Sequence, residues 1–341
     1  MGFKDKILSL GLALLALAAC QKPSQQRGVA ISFASSAEDA VLQTKSGAWE
    51  NVILSTTEEM RSKPFGIYGL YSDNPGDETG TNVFLSTDAV AVSYRTDSWE
   101  YDNLAYWSIN QFYRFRAYHP YSGSAFNVLN SSSVDLISID YKVASGNEDL
   151  MFAFWKGQSK EAVISHRVPM SFTHALAGLS FSIGFKDSED DSRTDNITSF
   201  AVSGIIPNGT VLYTHPDGDY DAAKMIWIAE NYDASTKYYQ WTGSKPFYKL
   251  GAHTATPIFD GPNNVVMAIP QSSSGAKGPT KVFFTTSEGG EAVNEITLPP
   301  VQWEPGVIYK YTFIVSQSKI DVDITIKDWE PVEINEDIHI L

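Results

Sequence analysis

The stretch "ALAGLSFSIGF", residues 175–185, alternates strictly. Ala175, Ala177, Leu179, Phe181, Ile183 and Phe185 fall on one face of an extended chain. Leu176, Gly178, Ser180, Ser182 and Gly184 fall on the other. A period of two is the repeat of a β-strand, and a helix would scatter the same residues around its circumference. One apolar face predicts an antiparallel sheet packed on one side. "GVIYKYTFIV" repeats the pattern with Val307, Tyr309, Tyr311, Phe313 and Val315, and "KIDVDITIKDW" with Ile320, Val322, Ile324 and Ile326. Further strands are expected at "VAISF", "PFGIYGLY", "VFLSTDAVAVSY", "QFYRFRAYHP", "LMFAFW", "SFAVSG", "TVLYTH", "NVVMAIP", "KVFFTT" and "NEITLP". Turn-rich stretches such as "SDNPGDETG", "DSEDDSRTDN" and "SSSGAKGP" separate them. Only "STTEEMRSK" reads as a short helix, capped by Ser55 or Thr56. Many short strands with frequent turns predict an all-β chain of β-sandwich architecture. No fixed repeat of 20–50 residues suggests a propeller or solenoid.

The 341 residues hold one cysteine, Cys20. A single Cys makes no internal disulfide, and a structural zinc site needs several close ligands. Its neighbours explain it. Lys4 and Lys6 form a basic start, and Ile7 to Ala18 is an apolar run. That run is shorter than the ~20 residues of a membrane-spanning helix. Ala18 and Ala19 are small residues at a cleavage zone. The reading is a signal peptide over residues 1–19. The tetrapeptide Leu17-Ala18-Ala19-Cys20 resembles the bacterial lipobox, in which the thiol is acylated, for example with palmitate. Two or more acyl chains give stable anchoring where one gives only marginal binding.

The formal charge is −15; residues 1–27 carry a net +3, so the chain beyond them carries −18. That balance opposes binding to nucleic acid or to an anionic membrane surface, which relies on Lys and Arg. The remaining length suits two domains. The expected division is an anchor and first-strand segment at 20–45, one sandwich at 46–170, and a second at 171–341.

The chain has no G-x-S-x-G, H-E-x-x-H, C-x-x-C or Walker pattern, and "GAKGPT" lacks the P-loop spacing. Histidines 119, 166, 174, 215, 253 and 339 are scattered, and His174 reads as structural. The acidic turns "DSEDDSRTDN" and "DGDYD" supply oxygen ligands of the kind Ca²⁺ takes, but without EF-hand spacing, so solvated loops are the default. No catalytic residue, metal or cofactor is assigned. Trp227, Tyr239 and Trp241 are candidates for stacking on sugar rings, against the plainer role of filling a sandwich core.

Four segments together resemble one family. "VAISF" and the Thr44-Lys45 step follow the lipobox. "DNLAYWSINQFYRFRAYHP" is similar to the family's Tyr-Trp pair and aromatic strand. "SFTHALAGLSFSI" is similar to its Phe-x-His strand, and "KYTFIVSQSKIDVDITIKDWEP" to its Tyr-x-Phe strand and closing strand with Trp. The family is the Bacteroidales fimbrillins, the type V pilins with their major and minor fimbrium subunits. The resemblance implies two β-sandwich domains of transthyretin-like topology and export as an outer-membrane lipoprotein. It also implies maturation by a trypsin-like protease and assembly with other fimbrial subunits by strand exchange, giving a surface fimbrium that adheres to host or bacterial ligands. Candidate cleavage residues are Arg27, Lys45 and Arg61. A cut at Arg27 leaves "VAISF" in place; a cut at Lys45 releases it. "VEINEDIHIL" at 332–341 is a candidate donor strand, with Val332, Ile334, Ile338 and Ile340 on one side. Its other reading is a final strand that folds back on its own domain. The rival functions are a monomeric outer-membrane glycan-binding lipoprotein and a surface hydrolase.

Overall fold

The computed structural model describes residues 33–34, 60–80, 82–95, 98–108, 110–129, 136–143, 148–158, 168–186, 192–214, 224–259, 264–316, 319–329 and 332–333. Their regular secondary structure is almost entirely β. The strands before residue 170 are β1 (Phe33–Ala34), β2 (Phe65–Ser72), β3 (Asn82–Val83), β4 (Val90–Arg95), β5 (Ser98–Glu100), β6 (Phe112–His119), β7 (Phe126–Leu129), β8 (Ile137–Lys142), β9 (Met151–Gln158) and β10 (Val168–Pro169). After it come β11 (Ser171–His174), β12 (Ala177–Phe185), β13 (Asp195–Ser203), β14 (Asn208–Thr214), β15 (Lys224–Ala229), β16 (Lys237–Phe247) and β17 (Thr256–Pro257). The last are β18 (Val265–Ala268), β19 (Lys281–Thr286), β20 (Asn294–Thr297), β21 (Val307–Val315), β22 (Ile320–Asp328) and β23 (Val332–Glu333). Of the expected short helix, Met60 and Arg61 are helical and the residues before them lie outside the described set.

The first large sheet runs β23-β11-β9-β6-β2-β4-β5, with β3 on β2. β6 is central and all eight of its residues are buried. Its odd positions, Tyr113, Phe115 and Ala117, face an aromatic core with Phe65, Trp99 and Trp107. Trp107 and Phe84 both meet Tyr113 edge-on, at 4.7 and 4.8 Å between centroids, the geometry that ring quadrupoles favour. The even positions carry Arg114 and Arg116, both 2% exposed. The Arg114 guanidinium donates to the Gly80 carbonyl, and that of Arg116 lies 5.7 Å from the Phe154 ring centroid. A guanidinium is buried at less cost when a carbonyl accepts from it or an aromatic face lies against it.

The second core lies between two further sheets, β17-β12-β21-β22 with β18 on β12, and β16-β13-β19-β20. Leu179, Phe181, Ile183 and Phe185 of β12 face inward as the alternation predicts, and each is 0–1% exposed. At about 1.5–3 kcal/mol each they contribute roughly 6–12 kcal/mol, an upper bound. Phe181 meets Phe200 of the facing sheet at 5.1 Å.

The one-sided expectation for this strand is corrected. β12 pairs in parallel with β21 along its length and is buried at all nine positions. Its small face is covered too. A Cβ on Gly178 would meet Val265, Ile308 and Trp329 at 3.0–3.4 Å, and one on Gly184 would meet Leu250 at 2.5 Å. Small residues there permit a second layer; they do not mark a solvent face. "VFLSTDAVAVSY" also divides into β3 and β4, with no strand assigned from Phe84 to Ala89.

A four-stranded sheet, β15-β14-β8-β7, joins strands from both sides of residue 170. β8 pairs with β14 over Ile137–Lys142, so backbone pairing runs straight across the expected boundary.

Candidate functional site

The first and last described strands attach to the same short segment, Val168–Phe172. β1 pairs in parallel with β10, Phe33 opposite Val168 and Ala34 opposite Pro169. β23 pairs antiparallel with β11, Glu333 opposite Ser171 and Val332 opposite Phe172. Met170 alone separates β10 from β11, and Val168, Met170 and Phe172 are all buried in the aromatic core of the first sheet. β11 has β9 on its other side. Among the described residues each of these strands meets the segment through two register pairs.

His174, the last residue of β11, fixes the approach of the C-terminal segment. Its ring lies on that of Trp329 with centroids 3.8 Å apart. Its Nδ1 lies 2.7 Å from Asp149 Oδ2. The Trp329 amide donates to the Gly306 carbonyl. β23 begins three residues after Trp329, so the chain leaves β22 through this clamp before reaching β11.

Cys20, Arg27, Lys45, Ile334, Ile338 and Ile340 lie outside the described residues. Val332 pairs with Phe172 of its own chain. Arg61 is half-buried beside fully buried Met60, and its guanidinium sits 4.8 Å from the Tyr94 ring centroid. Trypsin must draw that side chain away from Tyr94 to cut there, although Ser62 and Lys63 on the far side of the bond are exposed.

The three aromatic candidates do not share one face. Trp227 is on β15; Tyr239 and Trp241 are on β16, in a different sheet. Trp227 Nε1 donates to the Ala175 carbonyl at 2.9 Å, and its ring meets Tyr141 edge-on. The Tyr239 hydroxyl donates to the Met267 carbonyl at 2.6 Å, and burial pushes its pKa well up. Lys245 Nζ lies 5.2 Å from the Trp241 ring centroid. Each of the three rings thus makes contacts within its own chain.

Of the acidic turns, "DGDYD" lies outside the described residues. In the other, Asp195 Oδ1 accepts from the Asn196 and Glu288 amides at 2.7 and 3.0 Å, a loop-closing role. Among the described residues no group of three His, Cys, Asp or Glu side chains is placed to hold a metal ion. Nor, among them, is any helix long and apolar enough to cross a membrane.

A fimbrillin-like family model matches residues 55–329. No curated protein matches the chain. Among solved structures, the chain is similar to a fimbrial protein from Bacteroides vulgatus, with 17% identity and a TM-score of 0.60, covering 88% of this chain and 99% of that one. It is also similar to a putative cell adhesion protein from Bacteroides uniformis, with 17% identity and a TM-score of 0.46, covering 90% and 100%. A C-terminally truncated tip fimbrial protein from Porphyromonas gingivalis aligns with 11% identity and a TM-score of 0.36, covering 82% and 98%. The first of these supports the fold.

Proposed function

The chain belongs to the fimbrillin-like family, and from that premise we propose that it is a fimbrial subunit precursor, tethered through acylated Cys20 and matured by proteolysis for strand exchange. Family membership makes it a protein of fimbriae and cell adhesion, not an enzyme. The tether places it at the outer membrane until it enters a surface fimbrium.

The observation that carries the reading is the shared dock. β1 and β23 both attach to Val168–Phe172, each through two register pairs. Parallel pairing is slightly the weaker kind, and β1 lies between Arg27 and Lys45 in sequence. Loss of β1 leaves backbone unpaired at Val168 and Pro169, in a segment whose Val168 and Met170 are apolar. A strand from another subunit takes up that pairing. The segment 332–341 has the composition for it. Val332, Ile334, Ile338 and Ile340 offer about 1.5–3 kcal/mol each before ordering costs.

The test is limited trypsin digestion of the full chain in mild detergent, with the new N-terminus read by mass spectrometry. The expected result is one cut at Lys45, ahead of any at Arg61, followed by SDS-resistant ladders. Ladders from uncut chain, or a chain cut at Lys45 that stays monomeric, refute the reading.

A further inference from the structure

β15 is an edge strand whose middle carries none of the usual guards. It closes one side of the sheet β15-β14-β8-β7, and among the described residues no strand pairs with its outer side. Natural edges are blunted by charge, proline, bulges or shortness. β22, another long edge, carries Asp321, Asp323, Lys327 and Asp328. β16 carries Gly243 and Pro246, and its pairing with β13 is interrupted by register shifts. β15 reads "KMIWIA" and is followed by Glu230, with no charge, glycine or proline between Lys224 and Glu230. Its outer face shows Ile226 and Ile228, 42% and 53% exposed.

The backbone on that edge is oriented to pair. The Glu230 amide donates to the Asn208 carbonyl. With the register Thr210 opposite Ile228 and Leu212 opposite Ile226, the even-numbered residues of β15 are those bonded to β14. The amides and carbonyls of Met225, Trp227 and Ala229 then point away from the sheet.

We propose that β15 pairs antiparallel with β15 of a second copy of this chain, centred on Trp227. In that register the outward backbone groups of Met225, Trp227 and Ala229 meet those of Ala229, Trp227 and Met225. The side chains on the exposed face fall in the close, non-hydrogen-bonded pairs. There Ile226 meets Ile228, and Lys224 meets Glu230, each twice by symmetry. A strand with a cation at one end, an anion at the other and two isoleucines between is complementary to its own reverse. The contact is isologous, so it closes at two copies and cannot propagate. It is distinct from the head-to-tail exchange proposed above and joins subunits sideways. A single strand pair buries little area, so the dimer is weak and concentration-dependent.

Sedimentation equilibrium of the full chain in mild detergent tests this with a charge swap. Lys224 and Glu230 are both exposed, so the variants keep the fold. Lys224→Glu sets like charges opposite each other at two positions and weakens the dimer by about tenfold or more. Glu230→Lys does the same. The double variant restores opposite charges and returns the dissociation constant to within about threefold of the parent. Recovery in the double variant establishes the pairing. A chain monomeric up to about 1 mM, a dimer indifferent to both single changes, or a double variant no tighter than the singles overturns it.

Discussion

The imidazole of His174 lies flat on the indole of Trp329, with ring centroids 3.8 Å apart and planes 16° from parallel. Asp149 Oδ2 lies 2.7 Å from Nδ1 of the same imidazole. The contact ties the end of β11 in the first sheet to the end of β22 in the second core. It sits directly upstream of β23. Trp329→Ala removes the stack and the cover over Gly178, at a cost of about 3–5 kcal/mol. A urea midpoint reads the loss. Amide exchange at Val332 and Glu333 accelerates with it, whereas a stack irrelevant to the C-terminal segment leaves those amides unchanged.

Gly204 has a φ of +75°. A Cβ there would lie 2.7 Å from the Pro279 carbonyl oxygen. The Gly204 carbonyl also accepts from Gln271 Nε2 at 3.0 Å and Thr280 Oγ1 at 3.1 Å, so the turn has little room to move. Gly204→Ala is expected to cost about 1–3 kcal/mol, read as a lower thermal midpoint. An unchanged midpoint contradicts this.

Stability falls in mild acid. Burial pushes the His119 imidazole down to about 4, against the upward pull of the Asp149 carboxylate and with the help of the Lys63 charge. The unfolded ring titrates near ~6.5. Between those values the unfolded chain binds the proton that the native chain refuses, so stability drops as pH falls from about 6.5 to about 4. The contribution is at most about 3 kcal/mol. Urea midpoints across that window fall for the parent and flatten for His119→Phe; equal slopes in the two proteins count against the assignment.

Alternation made the individual strands legible. Leu179, Phe181 and Ile183 point where their spacing says. What spacing does not carry is the layer on the far side: Ser180 and Ser182 are buried because β12 is a central strand, a fact that resides in β21 and Trp329 many residues away. The alternation of β8, in Ile137, Ile139 and Tyr141, is short and set among polar neighbours, so it gives a weak local signal. β16 forms through Gly243 and Pro246, where an edge position tolerates residues that a central strand rejects. Most of the site was hidden for the same reason as the layer. Cys20 and the basic residues can be read from local chemistry. That β1 and β23 converge on Val168–Phe172 is long-range pairing, and neither end of the sequence announces the other.

In the proposed assembly the C-terminal strand of one subunit replaces β1 of another. The most direct measurement compares two chains after the same tryptic cut: the full chain, and one ending at Pro331 that lacks Val332, Ile334, Ile338 and Ile340. SDS-resistant ladders from the first, none from the second, and a single-step cap when the two are mixed are the predicted result. Ladders of equal length from both chains contradict it.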